Sequence, residues 1–260
     1  MNKIIEKQHF SEKVVQLVVE APMIARARKP GHFVIVICNE HGERIPLTIA
    51  DANEQQGTIT LVVQAVGEST RQICAKQPGE YLHDIVGPLG HATEIRKFGT
   101  VVCCGGGVGV APLLPILKAM KQAGNKVISV LAARSKELII LEEQVRAHSD
   151  QVVIMTDDGS YGQKGLITVG LQQLLETEKV DLVCTIGPAI MMKSVAMLTK
   201  QFNTPTICSL NTIMVDGTGM CGACRVTVDN KMRFVCVDGP EFDAHKVDFD
   251  EMMMRMRPVK

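Results

Sequence analysis

Between residues 100 and 209 short apolar runs alternate with amphipathic stretches, and no other feature of the 260-residue sequence narrows the fold as far. Apolar β-type runs at 100–104, 126–132, 151–155, 181–186 and 206–209 are separated by helical periodicity at 112–123, 141–148, 166–176 and 189–201. Parallel strands need crossovers of a dozen or more residues, and helices supply them. The pattern therefore predicts an α/β unit with a doubly wound, five-stranded parallel sheet. The uncharged stretch 101–117 belongs to this unit. Gly105, Gly106, Gly107, Gly109, Pro112 and Pro115 interrupt it, so it reads as strand, loop and helix, and no membrane span is expected.

Residues 3–86 follow a different pattern. Six β-type runs, at 3–8, 13–20, 32–38, 44–50, 58–65 and 80–86, are punctuated by Pro30-Gly31, His41-Gly42, Gln56-Gly57 and Pro78-Gly79. Such closely spaced strands predict an antiparallel six-stranded β barrel, with a short helix at 70–76. After residue 210 comes a segment rich in Gly and Cys (216–236), then a Met-rich helical tail (251–257) that suits either a core stripe or an adaptable partner surface. The expected regions are 1–97, 98–209 and 210–260.

The glycines at 105, 106, 107 and 109 follow an apolar strand and open a helix, with Pro112 in its first turn. Glycines let the backbone approach a pyrophosphate, and the helix start offers unpaired N–H groups. The loop is neither a regular G-x-G-x-x-G nor a P-loop. Gly187-Pro188 and the loop from Thr156 to Gly162, with Asp157, end two further strands on the same edge, where ligands of such sheets bind. Asp157 is suited to a ribose hydroxyl or an amide.

Cys221 and Cys224 form a CxxC in a loop with Gly217, Gly219 and Gly222, and Cys236 lies twelve residues after Cys224. Three thiolates in a Gly-rich loop suit an iron–sulfur cluster or zinc. A fourth ligand is needed, and Cys208 and Asp216 are the candidates: thiolate chemistry favours the first, spacing the second. Cys38, Cys74, Cys103, Cys104 and Cys184 read as core. The seven histidines form no ligand pattern. An odd total of nine cysteines, behind a charged start (MNKIIEKQHF) with no apolar h-region, leads us to expect free or metal-bound thiols and a cytoplasmic protein. Lys+Arg and Asp+Glu are both 28, which argues against a nucleic-acid surface. With aromatics at 3% and no Trp, few rings are available to stack on a flat cofactor.

Taken in order, these motifs resemble the ferredoxin–NADP⁺ reductase superfamily, in its iron–sulfur flavoprotein branch. That branch includes the electron-transfer subunit of dihydroorotate dehydrogenase B and the small subunit of NADH-dependent ferredoxin:NADP⁺ oxidoreductase, and the chain is most similar to the latter group. The run from Val215 to Val228 and the run Cys236-Val237-Asp238-Gly239-Pro240-Glu241-Phe242 carry the resemblance most specifically. It implies a [2Fe–2S] cluster on Asp216, Cys221, Cys224 and Cys236, with Asp216 in place of the cysteine of the dihydroorotate relatives.

In the barrel, Arg44-Ile45-Pro46-Leu47-Thr48 resembles the superfamily's flavin-edge motif. The resemblance places Thr48 at flavin N5 as the catalytic hydroxyl, Arg44 on the phosphate side of FAD, and Pro46 where an aromatic ring usually stacks, with Leu47 beside it. Gly67, Ser69 and Thr70 resemble the flavin-pyrophosphate loop, and Gly105–Pro112 with Gly187-Pro188 the nicotinamide-nucleotide elements. The implied activity is hydride transfer between NAD(H) and FAD, followed by single-electron relay through [2Fe–2S]. The implied partner is a larger glutamate-synthase-like flavoprotein subunit with iron–sulfur clusters, and ferredoxin is reached through that complex, which bifurcates electrons. Arg134-Ser135, after the second sheet strand, is placed to meet an adenine ribose or its 2′-phosphate. The competing readings are an electron-transfer subunit serving dihydroorotate or another dehydrogenase, and a zinc-stabilised nucleotide-binding module without turnover.

Overall fold

A computed structural model describes residues 1–256. The N-terminal strands are β1 (Asn2–Ser11), β2 (Val14–Glu20), β3 (Phe33–Ile37), β4 (Arg44–Asn53), β5 (Thr58–Gln64), β6 (Tyr81–Leu82) and β7 (Asp84–Leu89). They form one antiparallel sheet in the order β6-β1-β2-β5-β4-β3-β7. Period-two alternation drives it: Val15, Leu17 and Val19 on β2 and Ile59, Leu61 and Val63 on β5 point into one shared interior.

The sequence predicts six strands here and the structure has seven, because the run at 80–86 breaks at His83. Its first part pairs with β1 and its second with β3, which brings the two sheet edges together. The pattern also misses α1 (Pro22–Ala27), a short helix opened by a proline, which packs Ile24 and Ala25 against the barrel interior. Helix α2 (Glu68–Ala75) packs Ile73 there from the other side.

The second unit runs β8 (Thr100–Gly106), α3 (Val110–Gln122), β9 (Lys126–Ala133), α4 (Glu142–Ala147), β10 (Gln151–Thr156), β11 (Gln163–Lys164), α5 (Ile167–Thr177), β12 (Leu182–Ile186), α6 (Ala189–Gln201) and β13 (Thr206–Ser209). Leu182, Cys184 and Ile186 of β12 face the core that holds α3, whereas Val183 faces the core that holds α5, so the sheet is wound on both faces. The remaining elements are the hairpin β14 (Arg225–Val228) and β15 (Lys231–Phe234), then α7 (Val235–Asp238), β16 (Glu241–Asp243) and α8 (Phe249–Arg255).

The sheet order is β11-β10-β9-β8-β12-β13-β16. The five expected parallel strands are present, and two short edge strands bring the total to seven. One of them, β16, is antiparallel and comes from the cysteine segment. Asp229 and Asn230 turn the β14–β15 hairpin at φ 53° and 58°, a left-handed pair that Asp and Asn tolerate. Asp248 caps α8 by accepting from the Glu251 N–H at 2.9 Å, and Met252 is buried there while Met254 is exposed. Of the predicted tail, residue 257 lies outside the described residues.

The units are not separate bodies. Val14 and Ala50 of the barrel join the core under α3, and Lys118 pairs with Asp51 at 2.7 Å. A further core joins Phe33 and Ile35 of β3 to Cys208, Cys224, Cys236 and Met192, so the cysteine segment is wedged between barrel and sheet.

Candidate functional site

The carboxyl edge of the parallel sheet is built from close backbone contacts. Gly105 and Gly106 end β8, Gly107 to Gly109 make one turn of 3-10 helix, and α3 begins at Val110 with Pro112 in its first turn. A Cβ on Gly109 would stand 2.5 Å from the Ile186 carbonyl oxygen and 2.8 Å from the Gly187 Cα. One on Gly187 would stand 2.7 Å from Met191 Cε, and one on Gly106 would overlap the Met191 sulfur. The two glycine loops therefore touch, and Gly105, Gly106, Gly107, Gly109, Pro112, Gly187 and Pro188 come together at the starts of α3 and α6. The absent side chains let the two loops close on each other, while Gly107, where a Cβ would meet open space, leaves the approach to the start of α3 free for a pyrophosphate. Asp157 is exposed at the end of β10, with its N–H donating to Ala133 at 3.1 Å. Beside it Ser160 accepts from the Lys136 N–H at 2.9 Å, and the Lys136 ammonium lies 5.3 Å from the Tyr161 ring.

On β4 the side chains alternate. Ile45 and Leu47 pack on the barrel core, and Arg44, Pro46 and Thr48 fall on the other face, opposite Ile37, Ile35 and Phe33 of β3. All three are half-buried. Gly67 precedes α2, and the Thr70 hydroxyl oxygen accepts from the N–H of Gly67 at 2.9 Å and of Val66 at 3.0 Å. The Ser69 hydroxyl donates to the Glu43 carboxylate. An open cleft of about 620 Å³ adjoins this helix start and is lined by Lys13, Gln64, Val66 and Arg71 among others.

The cysteine segment combines one exposed thiol, Cys221, with two buried ones, Cys224 on the loop and Cys236 on α7, whose sulfurs are 3.2 Å apart. The N–H groups of Ala223 and Cys236 each point at a sulfur, those of Cys221 and Cys224, at 3.5 Å. Gly217, Gly219 and Gly222 hold φ of 76°, 87° and 66°, which turns the loop as only glycine does readily. The Asp216 carboxylate accepts from the Thr218 N–H at 2.8 Å and the Cys221 N–H at 2.7 Å, and these bonds hold it below the usual carboxylate range. Burial, and then the hydrogen bond with Cys224, push the Cys236 thiol up to about 12. No three His, Cys, Asp or Glu side chains among the described residues already converge on one point. Two thiols and a carboxylate on one loop and a third thiol on α7, with amides aimed at sulfur, nevertheless fit a thiolate-ligated cluster in donor type and number. Cys208 sits apart within β13, fully buried, its Sγ 3.6 Å from the Phe242 carbonyl.

The loop rests on the barrel. A Cβ on Gly217 would stand 2.8 Å from Ile35 and 2.9 Å from Leu89. Arg44 donates through Nε to the Val215 carbonyl at 2.6 Å and through Nη2 to the Asp216 carbonyl at 3.2 Å. Sequence reasoning missed these bonds, as it missed Met191 filling the space between two glycines. It also missed Glu241, which accepts from the Thr93 hydroxyl at 2.6 Å and which burial pushes up to about 7. No local pattern marks such contacts, because their partners are far apart in the chain. Cys38, Cys103, Cys104 and Cys184 are buried, and Cys74 is half-buried with its thiol toward the Val63 carbonyl at 3.7 Å. No helix among the described residues is long and apolar enough to cross a membrane.

Two family models match the chain. The iron–sulfur cluster binding domain of dihydroorotate dehydrogenase B covers residues 211–248, and the oxidoreductase NAD-binding domain covers residues 103–197. A Thermotoga maritima protein described as a homologue of the dihydroorotate dehydrogenase B (NAD(+)) electron transfer subunit is 44% identical over 98% of this chain and 90% of its own. A solved structure of an NADH-dependent reduced ferredoxin-NADP oxidoreductase, studied for flavin-based electron bifurcation, superimposes with a TM-score of 0.95. It is 43% identical and covers 98% of this chain and 92% of that one. The ferredoxin NADP⁺ reductase of Neisseria gonorrhoeae, solved with bound FAD and NADP, shares the fold at a TM-score of 0.62 and 18% identity, over 77% of this chain and 90% of that one.

Proposed function

This chain belongs to the dihydroorotate dehydrogenase B electron-transfer-subunit family, and from that premise we propose that it is the flavin and iron–sulfur subunit of an NAD(H)-dependent ferredoxin:NADP⁺ oxidoreductase. It is an oxidoreductase subunit, and its cofactors are FAD, [2Fe–2S] and NAD(H). Residues 1–97 would hold the flavin, 98–209 the nicotinamide nucleotide and 210–260 the cluster. When bound, FAD takes a hydride from NADH and exchanges single electrons with the [2Fe–2S] cluster.

The work of the chain is placement. Gly105–Gly109 and the start of α3 receive the dinucleotide pyrophosphate, Gly187-Pro188 bounds the nicotinamide end, and Asp157 takes a ribose hydroxyl. Thr48 presents its hydroxyl at the flavin edge from the outer face of β4, next to Pro46 on that face and Leu47 before it in the chain. Ser69 exchanges its bond to Glu43 for a phosphate oxygen, with Gly67 and Thr70 shaping that turn. Asp216, Cys221, Cys224 and Cys236 hold the cluster, and the Cys236 thiol, held protonated by burial, releases its proton as metal binds.

The observation that supports this reading most is the seat of the thiol loop. Gly217 lies against Ile35 of β3 and Leu89 of β7, and Arg44 of β4 donates to the carbonyls of Val215 and Asp216, so the loop is tied to β4, the strand that carries Thr48. A flavin at Thr48 and a cluster on the loop would then be neighbours. The larger partner is read as a glutamate-synthase-like flavoprotein with further iron–sulfur clusters, through which ferredoxin is reached. Nine cysteines, none in a disulfide among the described residues, suit the reducing cytoplasm.

Low-temperature EPR of the anaerobically purified, dithionite-reduced protein tests the proposal, together with bleaching of its flavin absorbance by NADH. A spin-one-half [2Fe–2S] signal and rapid bleaching are expected. A colourless, EPR-silent protein containing zinc would sink it. The name of the Thermotoga relative favours a second reading, service to a dihydroorotate dehydrogenase. The subunit that copurifies with the chain separates the two.

A further inference from the structure

The loop that carries the cysteines has almost no backbone support of its own. Among the described residues, 211–221 make no backbone–backbone hydrogen bond and belong to no helix or strand. A segment of this kind opens at low cost unless side chains fasten it. Thr212 and Met214 are buried, and two residues fasten the segment by hydrogen bonds. Asp216 ties the loop to itself through the N–H groups of Thr218 and Cys221. Arg44, 171 residues away in sequence, ties it to the barrel through the carbonyls of Val215 and Asp216. The fork of a guanidinium meets two successive carbonyls in a way that a single ammonium cannot. Arg44 shares the outer face of β4 with Pro46 and Thr48, so one strand carries both the flavin-edge hydroxyl and the anchor of the thiol loop.

We infer that Arg44 is a positioning residue of the cluster: it fastens the thiol loop to the flavin-edge strand and sets the charge beside Asp216. The inference rests on the function proposed above, and it departs from the resemblance, which places Arg44 on the phosphate side of FAD. A cation donating to the Asp216 carbonyl stabilises the more negative, reduced cluster, because cluster potential follows local charge and hydrogen bonding. Charge and fork make separate contributions. Arg44→Gln removes both, whereas Arg44→Lys keeps the charge and loses the fork.

The test uses the full chain loaded with FAD and cluster. Four quantities are read for wild type, R44Q and R44K: FAD per chain, the EPR signal of the reduced cluster, the cluster's reduction potential, and the rate at which an iron chelator bleaches it. R44Q is expected to retain FAD, to show a shifted EPR signal and a lowered potential, and to bleach at least about tenfold faster, the factor that follows from losing a charge-assisted hydrogen bond. R44K should recover the potential but not the resistance to chelator. Loss of FAD with an unchanged cluster signal, potential and bleaching rate would return Arg44 to the flavin phosphate and overturn the inference. A wild-type protein with no spin-one-half signal would overturn the proposed function itself. A wild-type signal that R44Q reproduces in every respect would overturn only the role of Arg44.

Discussion

Asp216 and Cys208 pose the sharpest question at the scale of single residues. Both were candidates for the fourth cluster ligand by chemistry and spacing, and the structure puts them in different settings. Asp216 lies in the same loop as Cys221 and already bonds its N–H. Cys208 is a fully buried strand residue facing a backbone carbonyl. In the loaded protein, Asp216→Ala should alter the EPR signal of the reduced cluster and Cys208→Ala should leave it unchanged. The second variant should instead lose about 1 kcal/mol of stability through the small cavity it opens, read as a lowered urea midpoint. The opposite pair of results would make Cys208 the ligand. A CxxC among glycines was legible as a metal or redox loop from residue types alone. The partner of Arg44 was not, since nothing near position 44 in the sequence anticipates the carbonyls of Val215 and Asp216.

At the scale of elements, the contact between the loops after β8 and β12 yields a graded expectation. At Gly109 any side chain meets the backbone of Ile186 and Gly187, which cannot retreat without moving α6. At Gly107 a side chain meets open space and only the left-handed backbone, φ +54°, opposes it. Gly109→Ala should therefore cost about 1–3 kcal/mol, as overpacking does, and weaken NADH binding, whereas Gly107→Ala should cost about 1 kcal/mol. Urea denaturation of the two variants checks the order, and equal losses would mean that the loops separate easily. The strands and helices between 100 and 209 were readable because each buries one face with its own period, as α6 shows: expected at 189–201, it spans Ala189–Gln201. The elements that escaped were short. The β14–β15 hairpin had a usable signal, alternating side chains around Asp229-Asn230, hidden inside a stretch dominated by Gly and Cys.

Across the whole molecule, Glu241 joins parts that the sequence separates. It stands on β16 at the edge of the parallel sheet and accepts from Thr93, in the connection leaving the barrel. Burial pushes its carboxyl up to about 7 from the ordinary value of 4.5. The unfolded chain releases this proton near the lower value and the folded chain near the higher one. Between them the native state binds more protons, so stability falls as pH rises from 4.5 to 7 and levels off above, by up to about 3 kcal/mol. Glu241→Gln should flatten this slope, and urea denaturation at pH 5 and pH 8 compares the two proteins. Parallel pH slopes would show that the carboxyl is solvated. Hydrophobic period, glycine punctuation and thiol spacing are local properties, so the sequence by itself determined a barrel followed by a doubly wound sheet, the edge where a dinucleotide would lie and the loop where a cluster would form. Tertiary structure alone decided how the barrel closes at His83, that the cysteine segment lends β16 to the sheet, and that Arg44 and Gly217 seat the thiol loop against β3 and β4. Those outcomes depend on pairing between residues distant in sequence, where shape and unsatisfied carbonyls select the partner and no local periodicity records the choice.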